Sequence, residues 1–201
     1  MQDLLVDFIT SLDGYGAAKD WPGFWGLEGP EYLGWLGQRP ERDYTILMGA
    51  NTYRLMFGFA SQAGTSDLRS DEEASVNALT HASKVVFSSK LQPPLSWPNT
   101  RLISGDAVEA VRAMKREGNS PMSTLGSLSL CRSLLKAGLV DRFRVVVFPV
   151  ITGSTGYDRI YDGYPDVALD RVASRTFDGR LQLLEFVPRV LAGPPGTHPG
   201  A

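Results

Sequence analysis

Three short stretches set glycine or small hydroxyl residues where an apolar run hands over to a helical pattern, and each offers what a phosphate needs. In Leu47-Met48-Gly49-Ala50-Asn51-Thr52-Tyr53 a strand-like run ends at glycine and a helix begins. The first amides of a helix have no partner within it and carry a partial positive charge, so an anion is favoured there. Thr52 adds a hydroxyl. Val85-Val86-Phe87-Ser88-Ser89-Lys90 delivers two hydroxyls and an ammonium at the end of an apolar run, the place where open α/β sheets bind ligands. Thr124-Leu125-Gly126-Ser127-Leu128-Ser129-Leu130 repeats the strand–glycine–helix handover. Singly, each also reads as ordinary structure: an Asn/Thr cap, a loop with a solvated lysine, a helix capped by Ser127 or Ser129. Three such corners in one short chain favour a dinucleotide site over three coincidental turns.

A second group of residues carries acid and aromatic character. Asp13 follows the first apolar run in Ser11-Leu12-Asp13-Gly14-Tyr15, where Asp-Gly reads equally as a plain turn. In Trp25-Gly26-Leu27-Glu28-Gly29-Pro30-Glu31-Tyr32, Pro30 suits the first helical position and Glu31 the first turn. A carboxyl partly buried beside Trp25 can have a raised pKa and donate a proton or anchor a substrate; a solvated helix-start glutamate is the plainer alternative. Phe148-Pro149-Val150-Ile151-Thr152-Gly153 ends a valine-rich run in a glycine turn and offers backbone groups at a strand end. The single cysteine, Cys131, sits among helical leucines and reads as an inert buried thiol; His81 and His198 are far apart, which leaves no histidine or cysteine metal set.

These residues need a scaffold of alternating strands and helices. Short apolar runs predict strands at 4–9, 44–48, 84–88, 100–103, 122–125, 142–147 and 181–187. Helical spacing predicts helices at 30–36, 50–56, 71–82, 106–117 and 128–137; in the fourth, Ala107, Val108, Val111 and Met114 share a face and Lys115-Arg116 close the last turn. This alternation predicts a mostly parallel sheet covered on both faces. The Gly-, Asp- and Tyr-rich stretch before 181–187 breaks it and predicts an antiparallel excursion at the sheet edge. Stretches 14–29 and 58–70 read as long loops.

The 201 residues are 43% hydrophobic and 21% charged with a formal net charge of −2. That is an ordinary globular balance, expected to fold as one domain over residues 1–190, with the Pro/Gly-rich 191–201 as a disordered tail. The absence of a basic stripe argues against a nucleic-acid partner, and no apolar run approaches the ~20 residues of a membrane helix. A cytoplasmic protein with a small-molecule substrate is the expectation.

In order and spacing these segments resemble the dihydrofolate reductase-like group, nearest to stand-alone relatives of the C-terminal reductase domain of the bifunctional riboflavin-biosynthesis deaminase–reductase. The resemblance spans 4–187. Its strongest run goes from Leu125-Gly126-Ser127 through Gly138-Leu139-Val140-Asp141 to Phe148-Pro149-Val150-Ile151-Thr152-Gly153. It implies a three-layer α/β/α reductase in which Gly49, Ala50, Asn51 and Thr52, Ser88, Ser89 and Lys90, and Gly126, Ser127 and Leu128 cradle NADPH, with the backbone at Ile9 meeting the nicotinamide. Trp25, Phe148, Thr152 and Gly153 would border the substrate, and Glu31 or water ordered by Asp13 would supply the proton. Many relatives carry a base where this chain has Ala50, so Lys90 or Arg54 would meet a 2′-phosphate and NADH stays open. Relatives often pair through their C-terminal strands, which implies a homodimer.

Overall fold

The computed structural model describes residues 1–19, 25–62 and 70–196. In chain order the elements are β1 (Leu4–Ser11), β2 (Tyr15–Ala18), α1 (Pro30–Gln38), β3 (Thr45–Gly49), α2 (Ala50–Gln62), α3 (Ser70–His81), β4 (Lys84–Phe87), β5 (Thr100–Ile103), α4 (Ala107–Glu117), β6 (Met122–Thr124), α5 (Leu128–Lys136), β7 (Arg142–Phe148), β8 (Gly156–Arg159), β9 (Val167–Phe177) and β10 (Leu181–Val190). Eight strands form one sheet in the order β5-β4-β3-β6-β1-β7-β10-β9, and β2 pairs with β8 in a separate ribbon. The strands from β5 to β7 run parallel. β10 turns antiparallel to β7, and β9 antiparallel to β10. The expected mostly parallel sheet with an antiparallel C-terminal edge is therefore the observed one.

Burial explains the layers. Along β1, Leu4, Val6 and Phe8 face one side and pack with Val111 of α4 and Leu130, Leu134 and Leu135 of α5. The other side is covered in two parts. Tyr32 of α1 packs on Val146, Phe148, Phe177, Leu181 and Leu183, while Tyr53 of α2 packs with Ile46, Met48, Val86 and Trp97. Strands buried on both faces read as continuous apolar runs, which is why the central strands were legible. α4 starts where its sequence says it should: the Asp106 carboxylate accepts from the amides of Val108 (2.8 Å) and Glu109 (3.3 Å). Asp141 closes the Gly138–Asp141 turn onto the sheet, accepting from Leu4 N at 2.7 Å and pairing with the buried Lys115.

Three strands were not expected. β2 and β8 are four residues each, carry glycine, and owe their extended conformation to pairing with one another. β9 has eleven residues that are exposed along most of their length, so no alternation marks it. α2 also runs past the expected end at residue 56, into the stretch read as a loop. Trp21, residues 63–69 and the tail from 197, with His198, lie outside the described residues.

Candidate functional site

The three glycine or hydroxyl corners lie at the ends of three adjacent strands, β4, β3 and β6. β3 and β6 are bonded together at this edge, Leu125 N donating to Leu47 O at 3.0 Å. One side chain joins the corners directly. The Ser127 hydroxyl accepts from Gly49 N at 2.7 Å and donates to Thr52 Oγ1 at 2.8 Å. Gly126 and Ser127 both take positive φ, 53° and 66°, which brings the backbone over the sheet edge. At Gly126 a side chain would press on Thr52, a Cβ lying 3.3 Å from its Oγ1. Because its hydroxyl is used in this way, Ser127 does not cap α5, and the helix opens at Leu128 with no side-chain cap. Its first amides stay available to an anion. Asn51 is exposed and its Oδ1 accepts from Arg54 at 3.4 Å. The third corner is more self-contained: Ser88 Oγ accepts from the amides of Lys90 (3.1 Å) and Leu91 (3.2 Å), which leaves Ser89 and Lys90 exposed.

The residues expected at the second ligand are distributed differently from the expectation. Asp13 is a clasp. Its Oδ1 accepts from Ser11 Oγ (2.6 Å) and Thr152 N (3.2 Å), and its Oδ2 from Gly153 N (2.9 Å). The Ser11 hydroxyl first, with the Gly153 and Thr152 amides, holds this carboxyl down at about 2. An acid so placed is ionised near neutrality, and the Thr152 and Gly153 amides expected to face a ligand are spent on it. Glu31 is exposed and accepts from Asp178 N at 2.7 Å, while the Asp178 carboxylate accepts from Glu31 N (3.0 Å) and Tyr32 N (3.1 Å). This reciprocal bonding across the chain caps α1 from the β9–β10 turn. Asp13, held in its charged form, is not set as a proton donor. Phe148 is fully buried, so it backs the Trp25 indole (5.4 Å between centroids) and offers no surface of its own to a ligand. Trp25 is half-buried at φ 51°, its indole N–H has no partner among the described residues, and it packs against the same cluster as Ile9. Two open depressions lie among the described residues: one of about 570 Å³ at the opposite edge of the sheet around Thr45, Asn99 and Arg101, and one of about 410 Å³ beside α1, lined by Glu31 with Trp35, Arg39 and Arg175.

This arrangement can be set against known proteins. The family model for the RibD C-terminal domain matches residues 2–183. The chain belongs to the RibD C-terminal domain family. Within its reach is the uncharacterized protein YyaP of Bacillus subtilis (strain 168), 26% identical over 174 residues that cover 87% of this chain and 88% of that protein. The fold is shared with a putative riboflavin biosynthesis protein from Shewanella sp. PV-4 (TM-score 0.68, 18% identity, covering 94% of this chain and 99% of that one). It is shared too with a pyrimidine reductase-like protein from Corynebacterium diphtheriae (TM-score 0.61, 15% identity, 94% and 92%). A diaminohydroxyphosphoribosylaminopyrimidine deaminase/5-amino-6-(5-phosphoribosylamino)uracil reductase from Thermotoga maritima matches at TM-score 0.62 and 17% identity, over 94% of this chain and 57% of that one. The sheet order and the antiparallel edge are those of the dihydrofolate reductase-like fold of the RibD C-terminal domain.

Two constellations in this RibD C-terminal domain family member were missed by sequence reasoning. Below the Trp25–Phe148 wall, Arg144 reaches Asp7 Oδ2 (3.0 Å) and Glu41 (2.8 Å), Arg39 reaches Asp7 at 2.7 Å, and Arg144 lies 5.1 Å from the Trp35 ring centroid. Burial pushes the Asp7 carboxyl up, but the two guanidiniums outweigh it and hold it below its ordinary value. A charge alternating with apolar residues along β1 and β7 was the available signal. The second is the Asp178 latch, for which the only local sign was an Asp-Gly turn dipeptide.

Proposed function

We propose that the chain is an NAD(P)H-dependent reductase, with NADPH its reductant, acting on a small heterocycle or another polarised C=N or C=O group. The observation that carries this reading is the uncapped start of α5 lying against the Gly49–Thr52 corner, joined through one serine hydroxyl. Two helix starts on adjacent strands then share one diphosphate. Gly126, Ser127 and Leu128 take one side of it, and Ala50, Asn51 and Thr52 the other. Ala50 brings no charge, so the exposed Lys90 and Arg54 would meet a 2′-phosphate. The nicotinamide end falls toward Ile9 and Trp25. When bound, the cofactor supplies a hydride; the protein's part is to hold the reacting atoms ~3–3.5 Å apart. With Asp13 ionised and Glu31 tied to Asp178, solvent supplies the proton. The decisive experiment is titration of NADPH and NADH followed by tryptophan fluorescence and thermal shift. Quenching and stabilisation by NADPH support the reading, and no response at millimolar cofactor ends it.

A second reading is favoured by the same two carboxylates, since both are committed to structural bonds: a member of the fold that binds a dinucleotide and turns nothing over. Binding without NADPH oxidation across pterin, pyrimidine and carbonyl substrates would select it. Among the described residues no helix is long and apolar enough to cross a membrane, and the proposal places the protein in the cytoplasm. It also makes it a homodimer through β9, whose open edge leaves Leu169 and Val172 uncovered.

A further inference from the structure

The turns that follow β1 and β7 carry an apolar pair that the reductase reading does not use. Leu12 and Ile151 are 66% and 70% exposed. They project from neighbouring turns, Leu12 N donating to Val150 O at 2.8 Å. These turns are not loose. Asp13 clasps one to the other through Ser11, Thr152 and Gly153, and Tyr15 N donates to Ser11 Oγ at 2.9 Å. Two large aliphatic side chains are thus held out toward solvent by a rigid clasp. Next to these turns in the chain, Ile9 and Val150 pack with Trp25 against the cluster that holds Phe148, and they form an apolar wall. None of these wall and clasp residues is basic, and the one charge among them is the Asp13 carboxylate. The guanidiniums beneath the wall, Arg144 and Arg39, are committed to Asp7 and Glu41.

The geometry points to a second ligand that is an unphosphorylated planar heterocycle bearing an apolar substituent, with Leu12 and Ile151 selecting the substituent. This rests on the reductase reading above and departs from the phosphoribosylamino compound in the name of the Thermotoga maritima relative. A phosphate at these turns would meet two aliphatic chains and a carboxylate of its own sign; beside the clasp, Arg159 lies over the Tyr15 ring at 5.5 Å and faces Asp162 at 4.0 Å. An alkyl group would bury both side chains, and apolar contacts of this size discriminate by about tenfold or more.

The test uses the full chain saturated with NADPH. Calorimetry compares three probes: 5-amino-6-(5-phosphoribosylamino)uracil, its dephosphorylated form, and 5-amino-6-(butylamino)uracil. The butyl compound should bind about tenfold or more tightly than the phosphorylated one, with the dephosphorylated form between them. Leu12→Ser with Ile151→Ser should abolish that preference while NADPH affinity stays, and Leu12→Arg should shift it toward the phosphorylated probe. Circular dichroism confirms that each variant is folded. The inference is overturned if the phosphorylated probe binds as well as the butyl one, if none of the three binds, or if the double variant leaves the ratio unchanged. It is also overturned if the double variant changes only the molecular mass, which would make the pair a contact between copies. Failure of NADPH itself to bind is a separate result, and it removes the reductase reading first.

Discussion

Ser127→Ala tests the joint on which the dinucleotide reading depends. The hydroxyl it removes is the acceptor for Gly49 N at 2.7 Å and the donor to Thr52 Oγ1 at 2.8 Å. The corner is half-buried, so the orphaned Gly49 amide is only partly rescued by water. Leaving such a donor unpaired costs about 1–3 kcal/mol, and the lost hydroxyl–hydroxyl bond adds ~0.5–1 kcal/mol. A total of about 2 kcal/mol lowers the melting temperature by about 4–8 °C in a domain of this size. The same change frees the α2 start to drift from the α5 start, and NADPH should then bind about tenfold more weakly, equivalent to ~1.4 kcal/mol. Differential scanning calorimetry and fluorescence titration read the two effects. Thr52→Val supplies the control, because the two residues act on one bond: the double variant should fall short of additivity by about 0.5–1.5 kcal/mol. A Ser127→Ala protein with unchanged melting and unchanged NADPH affinity, or strict additivity with Thr52→Val, would refute the claim that these corners form one site.

Arg144→Met strands the Asp7 carboxylate with Arg39 as its remaining partner and should cost about 3–5 kcal/mol in urea unfolding, while Asp7→Asn added to it should recover part of the loss. Asp13 has its folded pKa depressed from 3.8 to about 2, so its contribution is present above pH 3.8 and is lost as pH falls through about 2. Asp13→Ala should accordingly be the less stable protein above pH 3.8, and stability measured against pH should show the two curves converging at the acid end. Gly29→Ala would drive a Cβ into the Asp178 carboxylate. It should break the α1 latch and lower the melting temperature, yet leave NADPH binding intact, since the corners lie on other strands.

The fold was legible where burial leaves a mark on the chain. β3, β4 and β6 sit between two helical layers, and Leu47-Met48 or Val85-Val86 can belong nowhere else. β9 is the opposite case: Leu169-Asp170-Arg171-Val172-Ala173-Ser174 mixes types because both of its faces see solvent, so its strand identity comes from pairing with β10 alone. The ribbon of β2 and β8 is likewise a product of contacts between segments about 140 residues apart, which no window of sequence contains.

The candidate site divides along the same line. Its glycine corners were legible because a strand end followed by glycine and a helix start is a local pattern, and the sheet order then brings two of them side by side, with the Ser88–Lys90 loop at the end of the next strand. The acids were not legible, because a carboxylate's role is set by whatever reaches it. Asp13 and Glu31 have the residue type and the neighbourhood of proton donors, but Gly153 and Asp178, about 140 residues further on, arrive with backbone amides that hold them as acceptors. At Asp13 this bonding stabilises the charged form, which is the wrong form for donating a proton. The chemistry proposed for these turns is therefore positioning against an apolar wall, with proton transfer left to water. In the reductase proposed above, rate should follow how well Trp25 holds the acceptor ring and Leu12 and Ile151 its substituent, and it should follow the titration of Asp13 hardly at all.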